Sequence, residues 1–288
     1  MRTNRDRLVQ LSLQGKIKPP LTANPFYVTE TGKAVLVPSM GGITYNVKVG
    51  DPAFGWAADH VEPGVTLFNE EPWINDGFNT LACIGNEVRV VGGEARGAQG
   101  FVTGKHSGVD HVMAWFPPEV LDKLVIGDPM QVRGFGQGLE LPDYPGVMAM
   151  NVDPDLLLAM GIREEDSRLV VPFAAEIPPH LMGSGVGAAT SWRGDYDLMT
   201  TDRGELARWG LDALRLGDIV LIRDWENTYG RAYVKGAVTV GVVIHGDCVR
   251  MGHGPGITTI LSCKDGSLAG ERASDANIAR MLTEKTSG

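Results

Sequence analysis

Short apolar runs separated by glycine and proline turns limit the folds open to this chain more than any other feature. Residues 238–244 form a run that is β-branched except at Gly241, residues 43–49 alternate apolar with polar side chains, and residues 257–261 are again typical of a strand. The 38 glycines and 17 prolines lie between such runs. Strand-like runs outnumber helical ones and do not alternate with them as βαβ units would, so the sequence predicts a mainly β protein.

The expected architecture is a multi-lobed β-barrel or sandwich, a β-rich α+β fold with a few short peripheral helices. We predict an N-terminal arm with the first strands over 1–50, a small β-barrel-like lobe over 51–150 and a C-terminal β-rich lobe over 151–288. The first thirty residues are expected to form a helix and an extended connector, and residues 69–79 a long loop. The clearest helix is predicted over 154–160, with Asp153 as N-cap and Gly161 as its stop.

Charge and cysteine content exclude several classes of protein. The net charge of −9 argues against a nucleic-acid-binding surface. No apolar run approaches the roughly 20 residues that cross a bilayer, and the N-terminus lacks the apolar segment of a signal peptide. Cys83, Cys248 and Cys263 are widely spaced and form no zinc-binding pattern, so reduced, buried thiols in a cytoplasmic protein are expected.

The segment after the run 238–244 is the main candidate site. His245, Asp247 and His253 lie within nine residues, and glycines and a proline shape the loop that carries His253. An imidazole paired with a carboxylate suits proton transfer or metal binding. We therefore predict all three side chains as catalytic, and Gly254 and Gly256 as substrate-binding backbone.

Other histidines and carboxylates lie in glycine-flanked loops or at strand ends. Those predicted to bind a divalent ion (Zn, Mn or Mg) are His60, His106, His111, Asp224 and His245. Lys105 and His106 complete the predicted catalytic set, while Asn86 and His111 are predicted to bind substrate. The acidic segment Asp195, Asp197 and Asp202 resembles a loop for a hard cation but lacks the spacing of an EF-hand.

Three functions are compatible with this set of residues. The first is a metal-assisted hydrolase of a small amide or lactam-like, carboxylate-bearing compound, in which the ion activates water and Lys105 stabilises an oxyanion or binds the substrate carboxylate. The second is a metal-free lyase or isomerase that uses a histidine–aspartate pair. The third is a non-catalytic small-molecule binder or oligomeric structural protein. We expect a homo-oligomer in each case.

Five motifs together resemble a bacterial family defined only as a domain of unknown function, the DUF4438 type, which is represented by a structural-genomics protein from a thermophile. They are 59–64 (DHVEPG), 83–86 (CIGN), 104–106 (GKH), 194–197 (GDYD) and 252–256 (GHGPG). The resemblance spans most of the chain and implies a β-rich, multi-lobed fold without an assigned activity.

A weaker resemblance is to the acetamidase/formamidase family. The segments 62–64, 194–197 and Gly217-Asp218 follow one another in a similar order. In this chain Ile219 follows Asp218, where that family has histidine. The resemblance implies an amide substrate.

Overall fold

The computed structural model describes residues 1–21, 26–185 and 190–286, and the fold is mainly β. The strands within these ranges are β1 (Leu11–Ile17), β2 (Tyr27–Val28), β3 (Ala34–Val35), β4 (Ile43–Thr44), β5 (Gly64–Phe68), β6 (Glu87–Val90), β7 (Gln99–His106), β8 (His111–Trp115), β9 (Pro129–Gly134), β10 (Val147–Ala149), β11 (Arg163–Glu165), β12 (Arg168–Phe173), β13 (Ala175–Ile177), β14 (Met182–Gly185), β15 (Tyr196–Leu198), β16 (Ile219–Glu226), β17 (Ala232–Val243), β18 (Gly256–Cys263) and β19 (Leu268–Arg272). The α-helices are α1 (Pro72–Leu81), α2 (Pro118–Leu121), α3 (Pro154–Ala159), α4 (Arg203–Trp209) and α5 (Ile278–Thr286), and short 3₁₀ turns occupy Arg5–Arg7, Pro179–Leu181, Ser191–Arg193 and Leu211–Ala213.

The first sheet closes into a barrel. Its strands follow the order β1-β9-β6-β7-β8-β5, and β5 pairs with β1 to complete the circle, while β4 adds to β5 outside it. All these pairs are antiparallel. Alternate residues such as Leu67, Val88, Val102, Val112 and Val132 are buried in one apolar cluster, as the two-residue period of a strand requires. The barrel therefore has its own core.

The second sheet follows the order β13-β16-β17-β18-β15-β14, and β10 also pairs with β18. The β13–β16 pair is parallel, and the other pairs of this sheet are antiparallel. Two smaller sheets, β11-β12-β19 and β2-β3, complete the strands. Leu206 of α4 packs with Val220 and Ile222 of β16, so a separate apolar cluster covers one face of this sheet.

The barrel and the second sheet pack against each other where β7 approaches β17 and β18. Met113 from the barrel and Val240, Val242 and Ile260 from the second sheet belong to one buried cluster. Gly104 makes the close approach possible, because a Cβ there would lie 2.5 Å from the Cβ of Ile244. The ends of strands from both sheets meet at this contact.

The predicted mainly β class is confirmed, and so is the helix after Asp153. The Asp153 side chain accepts from the first-turn amides of α3, and Gly161 follows with φ +70°. Among the described residues, no helix is long and apolar enough to cross a membrane.

Two predictions for the first half of the chain were wrong. The segment expected to begin with a helix carries strand β1, which pairs with β9 and belongs to the barrel, because Leu13 and Ile17 point into the barrel core. The barrel therefore begins well before residue 51, and the second sheet begins with β10 before residue 151. The expected loop over 69–79 contains α1, which starts with Pro72 in its first turn and buries Phe78.

Candidate metal centre

Histidines from both sheets converge at the contact between the sheets. His106 ends β7 and His111 starts β8, while His60 precedes β5. His245 follows β17, and His253 lies in the loop before β18. The His106 and His245 ring centroids are 4.3 Å apart, and the His60 ring lies 4.9 Å from His245 and 5.5 Å from His106. Residues 60, 106, 111 and 245 are buried, so the centre is closed except near His253.

Each of the three mutually close rings has its Nδ1 bonded to an acceptor. The pairs are His60 with Asp59 Oδ2 at 3.0 Å, His106 with Glu62 Oε1 at 2.5 Å, and His245 with the Gly246 carbonyl at 2.8 Å. Carboxylates only accept, so Nδ1 of His60 and of His106 donates. Nδ1 of His245 faces the Gly246 carbonyl, to which it would donate, and also the Gly256 amide at 3.3 Å, from which it would accept. Where Nδ1 carries the proton, the Nε2 lone pair is available to a cation. This is the arrangement in which metal-binding histidines are usually held.

Two buried atoms of the centre that could bind a metal ion have no hydrogen-bond partner among the described residues. They are His245 Nε2 and Asp195 Oδ2, which lie 3.0 Å apart. Ser107 N donates to the other oxygen of Asp195 at 2.8 Å, which orients the carboxylate. Burial lowers the pKa of His245, but interaction with Asp195 outweighs burial and raises that pKa, so a proton on Nε2 can satisfy this pair. Without that proton, a third group must contact both atoms. A bound cation would do so.

The separations between donor atoms suit a common cation. Asp197 Oδ1 lies 3.7 Å from His245 Nε2, and Asp197 Oδ2 lies 3.7 Å from His60 Nε2. Two ligands with bonds of about 2.0–2.2 Å are roughly 3.0–3.7 Å apart when they subtend angles between about 90° and 120° at the ion. His60, His106 and His245, and likewise Asp195, Asp197 and His245, offer donor atoms that all lie within 4.8 Å of one another.

Glycine at position 256 keeps the space beside these donors open. A Cβ at Gly256 would lie 2.0 Å from Asp195 Oδ2 and 2.3 Å from His245 Nε2. Gly256 pairs with Asp197 across β15 and β18, so the backbone of β18 forms one wall of the centre. The residue predicted to line the site does line it, and the absence of a side chain is the reason.

The centre buries more negative than permanent positive charge. Asp59, Glu62, Asp195 and Asp197 are all buried, and Arg250 reaches Asp59 from the half-exposed rim at 3.6 Å. Burial lowers the pKa of His60, but the contacts with Asp197 and Asp59 outweigh burial and raise that pKa to about 12, so without a cation His60 holds a second proton, which a metal ion would displace. The carboxylates therefore attract positive charge strongly, whether a proton or a metal ion supplies it.

Glu62 is the residue that organises the barrel side of the centre. Its carboxylate accepts from the Gly41 amide at 2.8 Å, from Thr66 Oγ1 at 2.5 Å, and from Nδ1 of both His106 and His111. Burial raises its pKa, but the two histidines outweigh burial and hold the pKa well below its usual range. His111 thus lies behind Glu62, with its buried Nε2 unpaired within the described part of the chain.

Two predicted site residues point away from the centre. Lys105 precedes His106 in β7 and therefore faces the opposite side of the strand. Its ammonium donates to Asn151 Oδ1 and to the carbonyls of Trp192 and Thr80 at 2.8, 2.9 and 3.2 Å, which ties the two sheets together. Asn86 bonds to the backbone of Cys83 and Phe135 and to Asp153, a structural role.

Three further predicted residues lie beside the centre or far from it. Asp247 accepts from Thr200, Arg203 and the Cys248 amide, so it braces the loop that carries His253. Asp224 sits at φ +53° in β16 and accepts from the Gly236 amide at 2.6 Å; it belongs to none of the grouped metal donors. Gly254 packs against β15, where a Cβ would lie 2.0 Å from the Leu198 carbonyl oxygen.

Glu62 was missed as a site residue by the sequence analysis, and Asp195 and Asp197 were noted as a loop resembling a hard-cation site but not included among the predicted ligands of the histidine centre. Asp195 and Asp197 flank Tyr196 where β15 begins, and the alternation of a strand directs both carboxylates to one face. That spacing was the available signal. Asp202, the third member of the predicted acidic loop, instead caps α4 by accepting from Glu205 N.

Family models match most of the chain. One described as a domain of unknown function (DUF4438), N-terminal, matches residues 26–158, and the corresponding C-terminal model matches residues 159–282. The crystal structure of TM1086 is similar with a TM-score of 0.94 and 49% sequence identity, over 98% of this chain and 99% of that chain. No curated protein matches. None of these matches carries the name of an acetamidase, so that weaker resemblance stays an expectation.

Proposed function

The chain belongs to the DUF4438 family, which has no assigned activity, and we propose from the geometry of the buried centre that it is a metal-dependent hydrolase of a small carbonyl compound. His60, His106 and His245, with Asp195 and Asp197, would hold the cation. One observation carries the proposal. His245 Nε2 and Asp195 Oδ2 are buried, lie 3.0 Å apart and have no other hydrogen-bond partner among the described residues.

The donor set favours particular metals. Three imidazoles with carboxylates suit zinc or manganese, whereas magnesium prefers oxygen ligands and retains several waters. A cation held this way lowers the pKa of a bound water and polarises a carbonyl, which is the chemistry that amide hydrolysis requires.

The open side of the centre carries the groups that would act on a substrate. His253 is partly exposed at the entrance, and its Nδ1 lies 2.7 Å from Asp197 Oδ2, so it contacts the donor cluster from the open side. Arg250 on the same loop is half-exposed and presents a guanidinium there, which suits a substrate carboxylate. Arg250 thus takes the carboxylate-binding role that the sequence suggested for Lys105.

Buried surroundings favour a small substrate. The histidines of the centre other than His253 are almost inaccessible, and His253 lies at its open side. A short amide or lactam that bears a carboxylate would place its carbonyl near the donors and its charge at the Arg250 rim.

Elemental analysis of the tag-free protein tests the proposal together with an amide and lactam hydrolysis screen. We expect near-stoichiometric divalent metal, and loss of both metal and activity in the double variant His245→Ala/His253→Ala without unfolding. His180→Ala is the matched control, because His180 is exposed and contacts Glu205 outside the centre. Full activity in the double variant would overturn the assignment.

One contact favours a second candidate function. The 2.7 Å contact of His253 Nδ1 with Asp197 is also the arrangement of a metal-free lyase or isomerase that abstracts a proton. Activity that survives exhaustive chelation, in a preparation with no metal, would favour this reading over hydrolysis.

A further inference from the structure

We propose that the centre binds two cations, the second held by Cys248, His253 and Asp197 on the solvent side of the first. This inference rests on the proposed metal-dependent function and adds to it a second site with a sulfur ligand. His60, Cys248 and His253 offer donor atoms that all lie within 4.8 Å of one another. His60 belongs both to this group and to the group formed with His106 and His245.

The environment of Cys248 suits a thiolate ligand. Its S–H donates to Asp59 Oδ1 at 2.9 Å. The Arg250 amide donates to the same sulfur at 3.3 Å. The short contact with the carboxylate is not itself a ligand signature, because Cys263 makes a similar one with Asp265. What distinguishes Cys248 is that His60 and His253 lie beside it, and a cation bound there would replace the thiol proton.

Asp197 is placed to bridge two ions. Its Oδ1 faces His245 Nε2 at 3.7 Å, on the side of the unpaired donors. Its Oδ2 faces His253 Nδ1 at 2.7 Å and His60 Nε2 at 3.7 Å, on the side of Cys248. The two oxygens of one carboxylate thus serve two different histidine groups, as in hydrolytic sites whose paired metals lie about 3.5–4 Å apart.

Charge balance also favours two ions over one. Buried Asp59, Glu62, Asp195 and Asp197 together with a Cys248 thiolate would carry five negative charges; the Arg250 guanidinium beside Asp59 compensates one of them, which leaves four. One divalent cation compensates half of that charge, and two compensate all of it. Thiolate and imidazole ligands favour zinc at the second position.

Cobalt reconstitution tests the second site. The full chain would be stripped with a chelator and titrated with cobalt(II) chloride, while bound cobalt and thiolate-to-cobalt charge-transfer absorption in the near ultraviolet are recorded. We expect two equivalents in the native protein with the absorption band present. In Cys248→Ser the band should disappear, and in His253→Ala binding should fall to one equivalent.

Cys263→Ser is the matched control. Cys263 is also a buried free thiol next to a carboxylate, with Sγ 3.0 Å from Asp265 Oδ1, but it lies outside the centre. This variant should keep both equivalents and the band. His253 is partly exposed, so its replacement is compatible with folding and the test does not depend on the buried cysteine alone.

The outcomes separate the two proposals. A single equivalent overturns the second site and leaves the metal-dependent function standing. Two equivalents without a thiolate band overturn the assignment of Cys248 as a ligand. Absence of any bound cobalt or other divalent metal overturns both proposals together.

Discussion

Removing the cation is expected to lower the melting temperature of the folded chain by about 7 °C. The donors of the centre are already spaced 3.0–3.7 Å apart without a cation, so binding requires little rearrangement and its free energy appears as stability. A ligand that binds only the folded state at 1,000 times its Kd stabilises it by about 4.1 kcal/mol. For a chain of 288 residues the unfolding entropy is about 600 cal/mol/K, which converts that free energy into the stated shift.

The assay is a thermal melt followed by circular dichroism, with matched samples in excess chelator and in excess zinc or manganese. Asp195→Asn removes one of the two unpaired ligand atoms and should show a smaller difference in melting temperature between the two buffers than the native protein. His180→Ala lies outside the centre and should keep the full difference.

The reasoning would be refuted if the native protein melted at the same temperature in chelator and in metal over a wide range of metal concentration. An equal metal-induced shift in native protein and Asp195→Asn would also refute it, because the stabilising ion would then bind elsewhere.

Three other perturbations test separate parts of the structure. Glu62→Gln removes the carboxylate that orients two histidines and should weaken metal binding about 10–100-fold, measured by competition with a chromogenic chelator. Gly256→Ala should lower the metal content, because its methyl group would meet Asp195 Oδ2 and His245 Nε2. Gly241→Ala clashes with Ile257 and Thr258 instead, so it should lose stability but keep the metal. Equal metal content in the two variants would contradict the argument that Gly256 keeps space open beside the ligands. Burial lowers the pKa of Lys105 from 10.5 to about 8, so the folded state releases this proton first and the free energy of unfolding should rise between about pH 8 and 10.5. Lys105→Met should flatten that rise in urea titrations at several pH values, and an unchanged slope would show that the ammonium is not destabilised by burial.

Local signals in the sequence were sufficient to predict the strands and the helix whose formation depends on residues only a few positions apart. β-Branched runs predicted the strands that became β17 and β18, and an aspartate–proline pair followed by glycine predicted α3. Helix α1 was missed because residues 69–79 are rich in Asn, Glu and Pro, which also favour loops; its stability comes from burying Phe78 against the barrel. Strand β1 was missed because its alternation is partial, and pairing with β9 and β5 completes it.

The histidines of the centre could be named from the sequence, since glycine-flanked histidines at strand ends are unusual enough to stand out. His60, His106, His111, His245 and His253 do lie together. The sequence could not show which ring nitrogen of each histidine carries the proton, or which carboxylate contacts it. Both depend on contacts with residues that are distant in the chain.

The sequence by itself determined the mainly β class, the clearest helix and the identity of the histidines, because strand alternation, turn chemistry and capping act over a few residues. Only the tertiary structure decided which groups share one cavity. Lys105 and His106 are neighbours in the chain, yet the pleat of β7 directs one to the contact with Trp192 and the other to the centre. Asp195 and His245 are fifty residues apart, and they meet because β15 and β17 both pair with β18.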